Sequence, residues 1–119
     1  MKNCVFCQII EHKLPAAILY EDERMIVIQD AHPLAKLHFL VIPRKHIESM
    51  NQISAGDEEL LSKLLVKARE IAFQQGIGES GYRLAINTGA GGGQTVFHLH
   101  VHLLGGKPVD PHLLTLGLK

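Results

Sequence analysis

Residues 91–106 read "GGGQTVFHLHVHLLGG" and set three of the chain's eight histidines, His98, His100 and His102, at alternate positions. Apolar residues fill the gaps. Side chains of a strand point alternately to opposite faces, so the pattern predicts one strand over "TVFHLHVHLL". Phe97, Leu99, Val101 and Leu103 then face a core. The three imidazoles share the other face, with Val96 and Leu104 at its ends. A rise of roughly 3.4 Å per residue puts neighbouring histidines about 7 Å apart and the outer pair about 13–14 Å apart. Zinc–nitrogen bonds are about 2.0–2.1 Å long, so one straight strand would need a severe bend to bring all three onto one metal ion.

The upstream "TGAGGGQ" supplies glycines that let backbone N–H groups approach an anion closely. No Gly-Lys-Ser/Thr follows, so it is not a P-loop. Imidazole near neutral pH serves as nucleophile, base, acid or hydrogen-bond donor. A glycine cradle running into a histidine row points to phosphate held against imidazole. No carboxylate-rich Mg²⁺ motif stands beside it, which favours a metal-free displacement through a phosphohistidine.

The rest of the chain reads outward from this strand. "CVFCQIIEHKLP" predicts a short helix ended before Pro15, with Phe6, Ile9 and Ile10 on one face. "AAILYEDERMIVIQD" predicts a hairpin, with strands near 17–21 and 25–29 about a polar turn. "LHFLVIP" is a buried strand stopped by Pro43, which cannot donate to a ladder. Ser54, with Asp57 three residues on, opens the one long helix. Its apolar stripe is Leu61, Leu64, Leu65, Ala68, Ile71 and Ala72, and Gly76 or Gly78 ends it. "GYRLAIN" is a further strand. The pattern predicts an α+β fold with a largely antiparallel sheet and excludes repeated βαβ units.

With 119 residues, 46% apolar and 20% charged, the chain suits one domain over residues 1–119, with 108–119 as a tail that docks. A formal net charge of zero gives no basic excess for nucleic acid. No apolar run approaches the roughly 20 residues of a membrane span. "MKNCVFCQII" has no long apolar region and no cleavage site, and two cysteines without export signals predict a reducing, cytoplasmic setting. His12, His32 and His112 read as surface residues. "CVFC" lacks the βαβ context of a redox pair, which leaves two unrelated core cysteines or half of a zinc site.

The chain resembles the histidine-triad (HIT) superfamily through "HLHVHLL", and its Hint branch of purine nucleoside phosphoramidases through "NTGAGGGQTVFHLHVHLLGG". "IIEHKLPAAILYEDERMIVIQD", "HFLVIPRKHI" and "GYRLAIN" follow in family order, so the likeness spans residues 4–107. It implies a meander of about five antiparallel strands with two helices, paired into a homodimer. It implies cleavage of nucleoside 5′-phosphoramidates or related nucleoside monophosphate conjugates, with release of AMP or GMP and no cofactor needed for catalysis. Alternatives are dinucleoside polyphosphate hydrolysis and a nucleotide-binding adaptor with incidental turnover.

The resemblance makes His100 the nucleophile that becomes nucleotidylated and His102 a phosphate ligand. His98 helps orient the nucleophile, and His38 lies near the group. Gln94 matches the residue near the scissile atom. Gly93 and Thr95 match phosphate contacts, Asn87 a polar contact to the ribose and phosphate, and Asp30 the ribose carboxylate. Phe6, Ile9 and Ile28 match the slot for the base, though the family commonly has an aromatic where Ile28 stands. Read from the residues alone, those three are ordinary core and Asp30 is a turn residue at a strand end. Some bacterial members use a pair like Cys4 and Cys7 with two histidines on a structural zinc ion, and His46 and His98 match those positions.

Overall fold

The computed structural model describes residues 3–106. The tail at 108–119 and His112 lie outside the described residues. Five antiparallel strands form one sheet: β1 (Ile18–Glu21), β2 (Met25–Gln29), β3 (Leu37–Pro43), β4 (Tyr82–Ala85) and β5 (Val101–Gly105). Their order is β1-β2-β3-β5-β4, a meander of three strands followed by β5 slotted between β3 and β4. Two helices, α1 (Val5–Ile10) and α2 (Glu58–Gln74), complete the fold among the described residues.

The β1–β2 hairpin closes on Asp22, whose Oδ1 accepts from the N–H groups of Arg24 (2.7 Å) and Met25 (2.9 Å). That is the Asx-turn chemistry which favours aspartate at such corners. β2 and β3 are buried on both faces, so their apolar residues run almost without a break. Met25, Val27, Phe39 and Val41 join Leu64, Ala68, Ile71 and Ala72 of α2 in the main core. Ile26, Ile28, Leu40 and Ile42 face the other way, against Phe6, Cys7 and Ile9 of α1. The sheet is thus covered by α2 on one face and by the short α1 on the other.

α2 departs from its predicted start. A 3-10 turn, Ala55–Asp57, comes first, and the α-helix begins at Glu58. The Ser54–Asp57 pairing is nevertheless present, with the Ser54 N–H and hydroxyl donating to Asp57 Oδ2 at 3.1 and 2.9 Å. Leu65, predicted in the apolar stripe, is exposed beside Val66, because the buried arc of α2 is narrower than the stripe. Gly76, at φ +81, terminates the helix in the left-handed conformation that glycine adopts without strain.

The histidine strand is also shorter than predicted. It begins at Val101, and residues 95–100 lie outside the ladder. Val41↔Val101 is the last β3–β5 pair, and β3 stops at Pro43. Beyond it the backbone finds other partners: Leu99 N–H donates to Ile47 O at 2.7 Å. Alternation survives from 98 to 103, with Leu99, Val101 and Leu103 in the core and the three histidines buried opposite. Phe97, predicted to face the core, is 47% exposed, because the departed segment no longer follows the sheet. No helix among the described residues is long and apolar enough to cross a membrane.

Candidate active site

His100 immediately precedes β5 and is buried. Its Nδ1 lies 2.6 Å from the His98 carbonyl oxygen. A carbonyl can only accept, so Nδ1 carries the proton. In the neutral ring Nε2 then holds a lone pair. The rings of Phe6 and His102 meet it edge-on, with centroids 5.0 and 4.9 Å away.

On one side of His100 lies a chain of proton donors. The Leu34 N–H donates to His38 Nδ1 at 3.1 Å, which puts the His38 proton on Nε2 in the neutral ring. That Nε2 stands 2.9 Å from His102 Nδ1 and 3.4 Å from Asp30 Oδ2, with the Asp30 and His38 side chains both almost wholly buried. His102 Nδ1 therefore accepts, and His102 Nε2 carries a proton. Asp30 Oδ1 accepts from His32 N–H at 2.9 Å. Asp30, His38 and His102 place three ligand-type atoms within 4.8 Å of one another. The proton on His38 Nε2 occupies the position that a metal ion would need.

On the other side lies a different group. Cys4 caps α1, with its Sγ accepting from Cys7 N–H at 3.3 Å. His98 Nε2 donates to Pro43 O at 2.7 Å, which leaves the Nδ1 lone pair directed at the cysteines. His98 Nδ1 is 3.2 Å from Cys4 Sγ, 3.6 Å from Cys7 Sγ and 3.1 Å from His46 Nδ1. His46 Nδ1 is 3.4 Å from Cys7 Sγ. Both cysteines are free of disulfides. Tetrahedral bonds of about 2.0–2.3 Å set neighbouring nitrogen and sulfur donors about 3.3–3.8 Å apart, so these four atoms fit one ion of that kind. Burial drives the His98 pKa down to about 4, against the pull of its bond to Pro43. Burial and the adjacent Cys4 thiol push the Cys7 thiol up. A buried cation would reverse the preference of the Cys7 thiol and reinforce that of the neutral His98 ring.

The glycine loop is fastened by Gln94. Its Nε2 donates to Glu48 O (2.7 Å) and Val96 O (3.0 Å), and its Oε1 accepts from Gly89 N–H (2.8 Å). Gly89 and Gly93 adopt φ of +70 and +85, which an L side chain would strain. Thr95 and Gly93 are exposed and Asn87 is half-buried near them. A cavity of about 540 Å³ opens beside Asp30, lined by Phe6, Ile9, Ile28, Val96 and His32. Its size and apolar walls suit a small ligand. Sequence reading missed His32 and Val96 as lining residues. It also missed the backbone groups of Leu34, Pro43 and Glu48, whose hydrogen-bonding roles no side-chain pattern records.

A family model described as scavenger mRNA decapping enzyme C-term binding matches residues 3–111. A purine nucleoside phosphoramidase of Escherichia coli is 43% identical over 98% of both chains. A HIT family hydrolase from Clostridium thermocellum superposes with a TM-score of 0.89 at 48% identity, covering 93% of this chain and 96% of that one. A Zn-bound histidine triad family protein from Mycobacterium smegmatis superposes with a TM-score of 0.76 at 32% identity, covering 92% of this chain and 84% of that one. The chain belongs to the HIT family of nucleotide hydrolases.

Proposed function

We propose that this protein hydrolyses nucleoside 5′-phosphoramidates and related purine nucleoside monophosphate conjugates through a nucleotidylated His100. The observation that carries the reading is the 2.6 Å contact between His100 Nδ1 and the His98 carbonyl. It fixes the tautomer with its lone pair on Nε2. It also stabilises the positive ring that forms when Nε2 bonds to phosphorus. Identity to a purine nucleoside phosphoramidase supports the substrate class.

The base enters the cavity between Phe6, Ile9 and Ile28, and Asp30 takes the ribose hydroxyls. His100 Nε2 attacks the α-phosphorus while the bond to the leaving nitrogen breaks, and the amine departs with a proton drawn from solvent, which the later attack of water returns. His102 Nε2–H, set by His38, donates to a phosphoryl oxygen as charge builds there. The Gly93 N–H, the Thr95 hydroxyl and Asn87 hold the remaining phosphate edge. Gln94 acts by keeping the loop in shape, since both its amide groups bond to backbone. Water then attacks phosphorus, breaks the P–Nε2 bond and releases the nucleoside monophosphate. The His100→Ala variant is expected to lose at least about a thousandfold in kcat on adenosine 5′-phosphoramidate. Near-wild-type turnover would refute the mechanism.

The same reading assigns zinc to Cys4, Cys7, His46 and His98 as a structural ion outside the chemical steps. It places the protein in the cytoplasm and pairs it as a homodimer, with no nucleic-acid or membrane partner. Leu65, Val66 and Phe73 on α2 and Leu84 on the edge strand β4 are exposed apolar residues that such a pairing would cover. Light scattering is expected to give about twice the 13.2 kDa chain mass, and a stable monomer would refute the pairing.

A further inference from the structure

We propose that the cleft between the start of α1 and segment 95–97 is the subsite for the leaving amine, and that it selects amines with an apolar body and no negative charge. The inference rests on the reading of the cavity beside Asp30 as the nucleoside site and of Thr95 as a phosphate contact. The cleft has a volume of about 390 Å³, at the small end of ligand sites. Val5 and Val96 line both the cleft and the cavity, so the two spaces meet at these residues. Thr95 lines the cleft and not the cavity. A phosphate bonded to the Thr95 hydroxyl therefore has the nucleoside site on one side and the cleft on the other. The group joined to that phosphate through nitrogen has this space to enter.

The walls carry the chemistry. Val5, Val96 and Phe97 are apolar, and Val5 and Phe97 are exposed. An aromatic ring held open to solvent beside a cleft gives an apolar group a large contact area. The two sides are tied together by the buried Gln94, whose Nε2 donates to Glu48 O at 2.7 Å and Val96 O at 3.0 Å. The spacing between Glu48 and segment 95–97 is thus set before any ligand arrives. Among the described residues that line the cleft, Glu48 is the one acidic residue and none is lysine or arginine. Arg44 and Lys45, close by in sequence, are bonded to Glu21 and Asp57. A carboxylate without a cation beside it opposes a negatively charged leaving group. The same charge pattern disfavours the phosphates of a second nucleotide, and so separates phosphoramidate cleavage from dinucleoside polyphosphate hydrolysis.

The test uses adenosine 5′-phosphoramidates of three amines of similar basicity: propylamine, 2-phenylethylamine, and 2-phenylethylamine with a carboxylate on its ring. Wild type is expected to show a kcat/KM about tenfold higher for the phenylethyl than for the propyl conjugate. The added carboxylate is expected to lower it about fivefold at low salt, an effect that shrinks as salt is added. Phe97→Ala is expected to bring the phenylethyl-to-propyl ratio near one, and Glu48→Lys to abolish the carboxylate penalty. A binding spectrum is taken on His100→Ala protein. The phenylethyl conjugate is expected to shift the Phe97 ring and Glu48 amide signals, which AMP leaves in place. Should either cleft variant fail to fold, the wild-type ratios and the spectrum decide alone.

Equal kcat/KM for the propyl and phenylethyl conjugates in wild type overturns the proposal. So does a phenylethyl preference that survives in folded Phe97→Ala protein. Shifts confined to the cavity beside Asp30 place the amine outside the cleft and likewise overturn it. If wild type turns over no phosphoramidate, the proposed reaction fails while the shifts at Phe97 and Glu48 still decide the subsite.

Discussion

Two groups of buried ligand-type side chains flank His100, and they are prepared for opposite purposes. Cys4, Cys7, His46 and His98 bring two thiols, the bare His98 Nδ1 and the His46 Nδ1 to a common point. Asp30, His38 and His102 are just as close together, yet a proton stands between their atoms. The difference comes from backbone. Pro43 O takes the His98 proton on the side away from the cysteines, whereas Leu34 N–H forces the His38 proton into its cluster. Proximity of histidine, cysteine and carboxylate does not define a metal site until the far nitrogen of each ring has been accounted for.

The sharpest way to break this comparison is metal analysis of protein purified without chelator. Wild type is expected to carry about one zinc per chain and Cys7→Ala less than about a tenth, with His38→Ala unchanged. Loss of zinc in His38→Ala would erase the distinction between the groups. A second test uses the depressed pKa of His98 in chelator-treated protein. The fold favours the neutral ring, so that stability is complete above the ordinary histidine value of 6.5 and is lost as pH falls toward about 4. The loss between about pH 7 and about pH 4.5 is about 2 kcal/mol, to be read from urea midpoints at those two values. A flat profile would show that the buried ring is protonated without penalty. The smallest effect belongs to the proton chain. His38→Ala is expected to lower kcat about tenfold, the worth of a hydrogen bond that orders a reacting partner. In wild type, ¹⁵N shifts should place the protons of His38 and His102 on Nε2.

Much of this architecture was legible in the chain because it is written locally. The hairpin about Asp22, the α2 stripe at Leu64, Ala68, Ile71 and Ala72, and the shared face of the histidines follow from periodicity and turn chemistry. The length of the histidine strand did not. It depends on where β3 stops, more than fifty residues earlier, as the separation of 55 between His98 and Pro43 shows. Phe97 was misread for the same reason, since alternation assumes a ladder that has already ended. The cavity was legible in its walls, Phe6, Ile9 and Ile28, only through resemblance. A short apolar helix facing a sheet reads first as core.

α1 has six residues, too few to be stable alone in water. Cys4 and Cys7 meet His98 across sequence separations of 94 and 91 residues. During synthesis α1 leaves the ribosome long before that partner exists. Closing so long a loop costs entropy that only the finished sheet can repay. The wall of the cavity beside Asp30 carried by Phe6 and Ile9 is therefore set late in folding, although it is made early.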